Sequence, residues 1–399
     1  MFAPIISALR LSPIQVMAER TRQAIQQGHS VIDMTLGEPD FPTPQHIGEA
    51  AIRAIRDGET RYTPINGSTR LREAIVAKFR RDNGIDCSIA EISVGCGGKQ
   101  VIYQAFLATL SPGDEVIMPA PYWASYSDIV AMNGGVLRPI MTSPQRGYAL
   151  AAADLAAAIG PRTKWLVLNS PSNPSGTAYD RAQLAEFAQV IRQSPHRDFF
   201  ILVDDIYEHI LYDGRAFHTL AQVAPDLADR ILTVNGVSKA YAMTGWRLGY
   251  ACGPRHLIEA MTKLQMQINS HTSSISQAAA VAALEGPQDE VRRRCQAFQR
   301  RRDFLHDALS GIAELHTPRP EGAFYLFPDV RACLGRQAPG GERIADDVAL
   351  AAYLLRAGVA VVPGSGFGMP GFLRLSYATS DENLRIAAER MAYALGNLT

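Results

Sequence analysis

The sequence predicts an α/β fold: a large domain built on a mostly parallel seven-stranded sheet, joined to a smaller α+β domain. Three observations carry that reading. Between about residues 90 and 255, short β-branched runs alternate with amphipathic stretches, the rhythm of strand–helix units. Those runs are mostly apolar rather than strictly alternating, the buried type of strand that is covered on both faces. Past residue 255, long helical patterns lead into a second, shorter group of strand and helix candidates.

In chain order, a proline-rich stretch, Glu38-Pro-Asp-Phe-Pro-Thr-Pro44, separates an N-terminal segment from the large domain. The strand candidates of the sheet are Glu91–Val94, Glu115–Met118, Val136–Pro139, Lys164–Asn169, Phe199–Val203, Arg230–Val234 and Arg247–Cys252. Between them lie helical stretches Lys99–Leu110, Tyr122–Ala131 and Arg181–Arg192, and an alanine-rich one at Ala151–Ile159. Met261–Leu309 reads as one or more long helices broken at Gly286-Pro287, because proline cannot continue a helix. Its arginine runs, 292–294 and 300–302, are expected to form a solvated face. Strands at Ala323–Phe327, Val359–Val362 and Phe372–Tyr377, with helices at Ile344–Arg356 and Asp381–Leu398, complete the smaller part.

Composition narrows the function classes. The 399 residues carry 39 Lys+Arg against 39 Asp+Glu, so no basic excess supports a nucleic-acid or anionic-membrane partner. With 47% hydrophobic and 20% charged residues, disorder is excluded. The 5 cysteines are scattered without a C-x-x-C pair, and no H-E-x-x-H occurs, so neither a disulfide framework nor a metal site is expected. Met1–Pro13 lacks the features of a signal peptide, and the apolar runs are too short to span a bilayer, so a cytoplasmic location is expected.

Ligands of open parallel sheets gather at the carboxyl ends of the strands, so the residues just after each strand are the site candidates. Gly95-Cys-Gly-Gly98-Lys99-Gln100 comes after a strand and opens a helix, yet it fails both the dinucleotide fingerprint and the P-loop pattern. What remains is a glycine turn at a helix N-terminus, suited to one phosphate, although any tight strand-to-helix turn needs the same glycines. Asn169-Ser-Pro-Ser-Asn173-Pro-Ser-Gly ends the candidate strand at Lys164–Asn169, and Asp204-Asp205-Ile-Tyr207 ends the one after it. The two aspartates are either helix caps, with at least one solvated, or include a buried carboxylate facing a cationic ligand atom. Ser238-Lys239 comes after a further strand, where a lysine can be desolvated and its pKa lowered; a lone loop lysine is otherwise a surface residue.

These motifs stand in order with Leu36-Gly-Glu-Pro-Asp-Phe, Tyr62-Thr-Pro, Pro121-Tyr-Trp, Thr244-Gly-Trp-Arg247, Pro320-Glu-Gly-Ala-Phe and Arg374-Leu-Ser-Tyr-Ala. Over nearly its full length the sequence resembles the class I/II pyridoxal-phosphate (PLP)-dependent aminotransferases of fold type I, in particular the bacterial aspartate aminotransferase subgroup. The resemblance implies that Lys239 condenses reversibly with the cofactor aldehyde as a Schiff base and, once displaced, moves a proton at the substrate Cα. It implies that Asp204 keeps the pyridine nitrogen protonated, that Asn173 and Tyr207 hydrogen-bond the ring's phenolic oxygen, and that Trp123 stacks on the ring. The phosphate falls to Gly98, Lys99, Ser238 and Arg247, with Tyr62 from a neighbouring subunit. For the substrate it implies Arg374 as α-carboxylate clamp, Gly37 as a backbone contact, Trp123 and Asn173 beside it, and Arg10 as reader of a distal carboxylate. An arginine in such a strand is otherwise an edge residue facing water.

Three positions depart from the subgroup's pattern. Gly236 stands where many relatives have a phosphate-binding hydroxyl, Asp205 where they have glutamate, and Arg10 where some have lysine. The implied reaction moves an amino group from an L-amino acid to a 2-oxo acid, with aspartate and 2-oxoglutarate as first choice. C–S lysis or β-elimination on the same fold, and a non-catalytic PLP-binding regulator, are the alternatives. The implied organisation is a large domain over 45–287 and a small one combining 1–44 with 288–399. It is expected to work as a homodimer with shared sites, without metal, nucleic acid or membrane.

Overall fold

The computed structural model describes Ile6 and residues 13–399, beginning with a helix, Pro13–Gln26, and a short strand, β1 (Ile32–Asp33). The next strands are β2 (Ile92–Gly95), β3 (Glu115–Ala120), β4 (Val136–Met141), β5 (Thr163–Asn169), β6 (Phe200–Asp204), β7 (Ile231–Gly236) and β8 (Gly249–Cys252). They form one 7-stranded sheet of order β2-β8-β7-β6-β5-β3-β4, in which β8 alone runs against its neighbours. Every strand expected from the sequence is present.

The continuous apolar runs are explained by two cores, one on each face of the sheet. Val116 and Met118 of β3, and Trp165 and Val167 of β5, pack on one side under helices Gly98–Thr109, Ser125–Met132 and Arg255–Ile268. The alternate residues Ile117, Leu166 and Leu168 pack on the other, under helix Arg181–Gln193. With period 2 along each strand and both sides buried, the interiors of the central strands are mostly apolar, with Thr233 of β7 an exception. Polar residues therefore cluster where the strands end. Register places Asn169 beside Asp204, and Asp204 beside Val234, so β5 and β6 end side by side and β7 runs on two residues past them to Gly236.

The expected helical stretch 261–309 is three helices, Arg255–Ile268, Ser274–Glu285 and Asp289–Ser310, with a second break at 269–273 besides the expected one. The arginines of the last helix are not simply a solvated face. Arg292, Arg293 and Arg300 are exposed, but Arg302 is fully buried, its guanidinium bonded to Asp213 at 2.7 and 2.8 Å and stacked on Tyr212. Arg294 and Arg301 lie over Phe41. A helix wedged between other elements has two faces to satisfy, and here the arginine stems cover apolar surface.

Beyond it come β9 (Tyr325–Leu326), β10 (Val359–Ala360), β11 (Val362–Pro363) and β12 (Leu373–Ser376). β12 is the middle strand of a 3-stranded antiparallel sheet, so Arg374 is not on an edge. β1 pairs with β10, Ile32 opposite Val359, and Met17 and Met34 join a core built mainly from residues 298–398. Among the described residues, no helix is long and apolar enough to cross a membrane.

Candidate active site

The carboxyl ends of the central strands open on a cavity of about 390 Å³, an ordinary size for a small-molecule site. Its walls bring together Gly37, Gly98, Lys99, Trp123, Asn173, Asp204, Tyr207, Ser238, Lys239, Arg247 and Arg374, which lie far apart in sequence. Two expected residues are not among them. Tyr62 is 92% exposed and packs edge-on against His271, and Arg10 lies outside the described residues.

Each wall has a local cause. β2 ends at Gly95, and Gly97, at φ +83°, turns the chain into helix Gly98–Thr109, whose first residues face the cavity. A Cβ on Gly97 would collide with the Arg247 guanidinium, so the glycine admits that side chain to the helix start. Lys99 sits there as well, its Nζ 5.0 Å from the Trp123 ring centroid. Burial and the neighbouring Arg247 charge hold the Lys99 ammonium below its usual range. Two cations at a helix N-terminus form an anion site.

On the small-domain side, Arg374 is 1% exposed. Its NH2 donates to the Thr35 carbonyl at 2.6 Å and its NH1 to Asn173 Oδ1 at 3.2 Å. Its guanidinium lies 4.6 Å from the Tyr325 ring and 5.0 Å from the Phe367 ring. The buried Nε has no hydrogen-bond partner. A fixed, desolvated fork without a carboxylate counterpart is what a carboxylate ligand would complete.

Lys239, three residues past β7, donates to the Gly37 carbonyl. Burial, then the Arg374 charge, lowers its pKa to about 8, with Glu38 opposing. Asp204 is 6% exposed; burial raises its pKa, while a hydrogen bond from Tyr126 and one from the Ile206 N–H oppose. Neither aspartate is a solvated cap. Asp204 Oδ1 does accept the Ile206 N–H at 3.3 Å, but Asp205 is fully buried with both carboxylate oxygens unbonded. Burial, then the nearby Glu208 charge, pushes the Asp205 carboxyl well above the usual range, with Thr219 and Lys78 opposing.

The residues fit PLP on the chemistry of the donor set. Lys99 and Arg247 crowd like charge where a phosphate would sit, the Arg374 fork has a free donor, and a buried carboxylate at Asp204 suits a protonated ring nitrogen. At Gly236, packed against Leu248 and Gly249, an added Cβ would meet backbone at 3.1 and 3.2 Å, which accounts for the missing hydroxyl residue there.

Residues 29–391 match the family Aminotransferase class I and II. The chain belongs to that family. The aspartate aminotransferase of Rhizobium meliloti (strain 1021) is 51% identical over 99% of this chain and 96% of its own length. The aspartate/prephenate aminotransferase of Cereibacter sphaeroides (strain ATCC 17029 / ATH 2.4.9) is 49% identical, with 96% of each chain covered. Among solved structures, the Rhizobium meliloti aspartate aminotransferase superposes with a TM-score of 0.96 at 50% identity, covering 100% of both chains. The Thermus thermophilus aspartate aminotransferase with maleate gives 0.91 at 42% identity, covering 99% of both. This chain is thus a PLP-dependent aminotransferase of fold type I.

The aminotransferase cavity also contains residues that sequence reading missed. Tyr126 hydrogen-bonds Asp204, the Tyr325 hydroxyl lies 2.8 Å from that of Tyr207, and Glu38 accepts from Thr244 at 2.7 Å. Tyr126 stands three residues beyond Trp123, Glu38 follows Gly37, and Tyr325 directly follows the Pro320-Glu-Gly-Ala-Phe motif. Proximity to a recognised motif was the only signal available for them.

Proposed function

We propose that this aminotransferase takes the amino group of an acidic L-amino acid, aspartate first, and passes it to 2-oxoglutarate. The observation that carries the reading is the meeting of the buried Arg374 fork, the desolvated Lys239 and the buried Asp204 in one cavity. The names of the relatives, at about half identity over nearly the whole chain, support aspartate as donor.

When bound, PLP would supply a carbonyl that captures the amine and a ring that takes up the electrons left at the substrate Cα. Gly98, Lys99, Ser238 and Arg247 would hold its phosphate, with Tyr62 of a second copy reaching in. Asp204 would face its ring nitrogen, and Trp123, Asn173 and Tyr207 its ring. Arg374 binds the substrate α-carboxylate, pre-set by Thr35 and Asn173 so that little ordering remains on binding. Lys239 Nζ takes the proton from the substrate Cα. With a pKa of about 8, roughly a tenth of it is neutral at pH 7, close to the optimum for a base. Gly37 holds that amine through its carbonyl.

The same reading divides the chain into a large domain over 45–287 and a small one over 1–44 and 288–399, supported by the pairing of β1 with β10. The working unit would be a cytoplasmic homodimer, for which the exposure of Tyr62, 92%, speaks. The test is a donor panel of aspartate, glutamate, alanine and phenylalanine against 2-oxoglutarate, with prephenate as second acceptor because one relative bears that name. Aspartate should give the highest kcat/KM among non-product donors; a preference for alanine or phenylalanine would overturn the acidic-donor reading.

A further inference from the structure

We propose that Tyr126 is a positioning residue that holds Asp204 and Trp123 in place for the cofactor ring. The inference rests on the reading of Asp204 as partner of a cationic ring nitrogen. Tyr126 opens helix Ser125–Met132 and is 1% exposed. Its hydroxyl donates to Asp204 Oδ2 at 2.6 Å. Its ring stands edge-on to Trp123, with centroids 5.2 Å apart and planes at 86°. One side chain therefore braces the carboxylate and the indole that line the same cavity.

The bond does more than fix a rotamer. Burial works against a charged Asp204, and the Tyr126 hydroxyl is the largest influence opposing it, ahead of the Ile206 N–H and Lys239. The other titratable groups facing this pair are Tyr207 and Asp205, and burial raises the pKa of both, which disfavours further negative charge beside Asp204. Burial, then the Asp204 charge, likewise holds the Tyr126 phenol well above its ordinary range, so it stays a donor. Without it, Asp204 would keep only a 3.3 Å backbone bond and would take up a proton more readily. A protonated Asp204 cannot pair with a cationic ring.

The experiment measures PLP retention by equilibrium dialysis of the holoenzyme across the acid-to-neutral range, for wild type, Tyr126→Phe, Asp204→Asn and the double variant. Loss of one hydrogen bond to a charged group predicts roughly 10- to 100-fold weaker retention in Tyr126→Phe. It also predicts an acid limb displaced to higher pH, since each tenfold change corresponds to about one pH unit. In the Asp204→Asn background, Tyr126→Phe should add little, because the two act through one contact. Unchanged retention and limb in Tyr126→Phe, or the same loss in both backgrounds, would overturn the proposal. Retention unaffected by Asp204→Asn would overturn both it and the reading of Asp204. Should Tyr126→Phe not fold, 3-fluorotyrosine at 126, a stronger donor of the same shape, should move the acid limb to lower pH, and a stationary limb would overturn the proposal.

Discussion

Replacing Arg374 by lysine keeps a positive charge and removes the fork. The guanidinium is fixed by bonds of 2.6 Å to Thr35 and 3.2 Å to Asn173, and is sandwiched 4.6 and 5.0 Å from the Tyr325 and Phe367 rings. A substrate carboxylate meeting that fork gains charge-assisted bonds that a point charge on a flexible stem supplies only in part. Losing one such bond costs about 1.5–3 kcal/mol. At about 1.4 kcal/mol per decade, kcat/KM for aspartate should fall roughly 10- to 150-fold in Arg374→Lys. Arg374→Ala leaves the substrate carboxylate buried and unpaired, which costs about 3–5 kcal/mol, or two to three and a half decades. The assay is steady-state kcat/KM for aspartate and for β-alanine, which lacks the α-carboxylate, with the thermal midpoint as control. Activity toward β-alanine should be nearly indifferent to the substitution. Equal losses for both amines, or wild-type kcat/KM for aspartate in Arg374→Lys, would refute the clamp.

Lys239 titrates near 8, lowered by burial and then by Arg374, so the rate of Cα proton removal should rise with pH and level above that value. Removing the Arg374 charge takes away a cause of the lowering and should move the limb to higher pH; a rapid-mixing rate flat across that range would contradict this assignment. Lys78, fully buried, contacts the Glu208 carboxylate and donates to Asn83 Oδ1 at 2.7 Å. Lys78→Met should cost up to about 3–5 kcal/mol of stability in urea, because the buried Glu208 carboxylate keeps only Asn83 at 2.6 Å and His209 at 3.2 Å, and Lys78→Met with Glu208→Leu should recover most of it. An unchanged midpoint in the single variant would show that the pair is not coupled. Although burial raises the Glu208 pKa, Lys78 and then His209 pull it well below the carboxylate range. Its stabilising contribution is therefore complete at neutral pH and lost only in strong acid. If Tyr62 completes a second copy's site, mixing Tyr62→Ala with Lys239→Ala protein should restore about a quarter of the sites, since half of randomly mixed dimers hold one intact site. No recovery after subunit exchange would argue for sites complete within one chain.

The sheet was legible because burial on both faces leaves the central strands mostly apolar inside, so Ile117, Leu166 and Ile201 announce themselves by composition and polar residues cluster at strand ends. Lys239, Asp204 and Arg374 were legible only through motifs at matching positions, since a lysine in a loop or an arginine in a short strand carries no local signature of burial. Tyr126 and Glu38 act on residues distant in sequence, Asp204 and Thr244, and such contacts exist only once the sheet has brought strand ends together. The same holds for Arg302: a basic run predicts a wet surface, and only the packed helix turns one of its members onto Asp213 and Tyr212. Asp205 stands where relatives have glutamate, and only the folded chain shows that its carboxyl is fully buried and pushed well above the usual carboxylate range.

The central claim is that the amino group is passed on and not released. A single-turnover measurement tests it: holoenzyme mixed with L-aspartate and no 2-oxo acid, then assayed for oxo acid and for free ammonia. Transfer predicts a burst of oxaloacetate that does not exceed the number of sites, no ammonia, and renewed production only when 2-oxoglutarate is added. Continuous oxo-acid formation with matching ammonia, in the absence of any acceptor, would contradict transfer and assign the site to elimination.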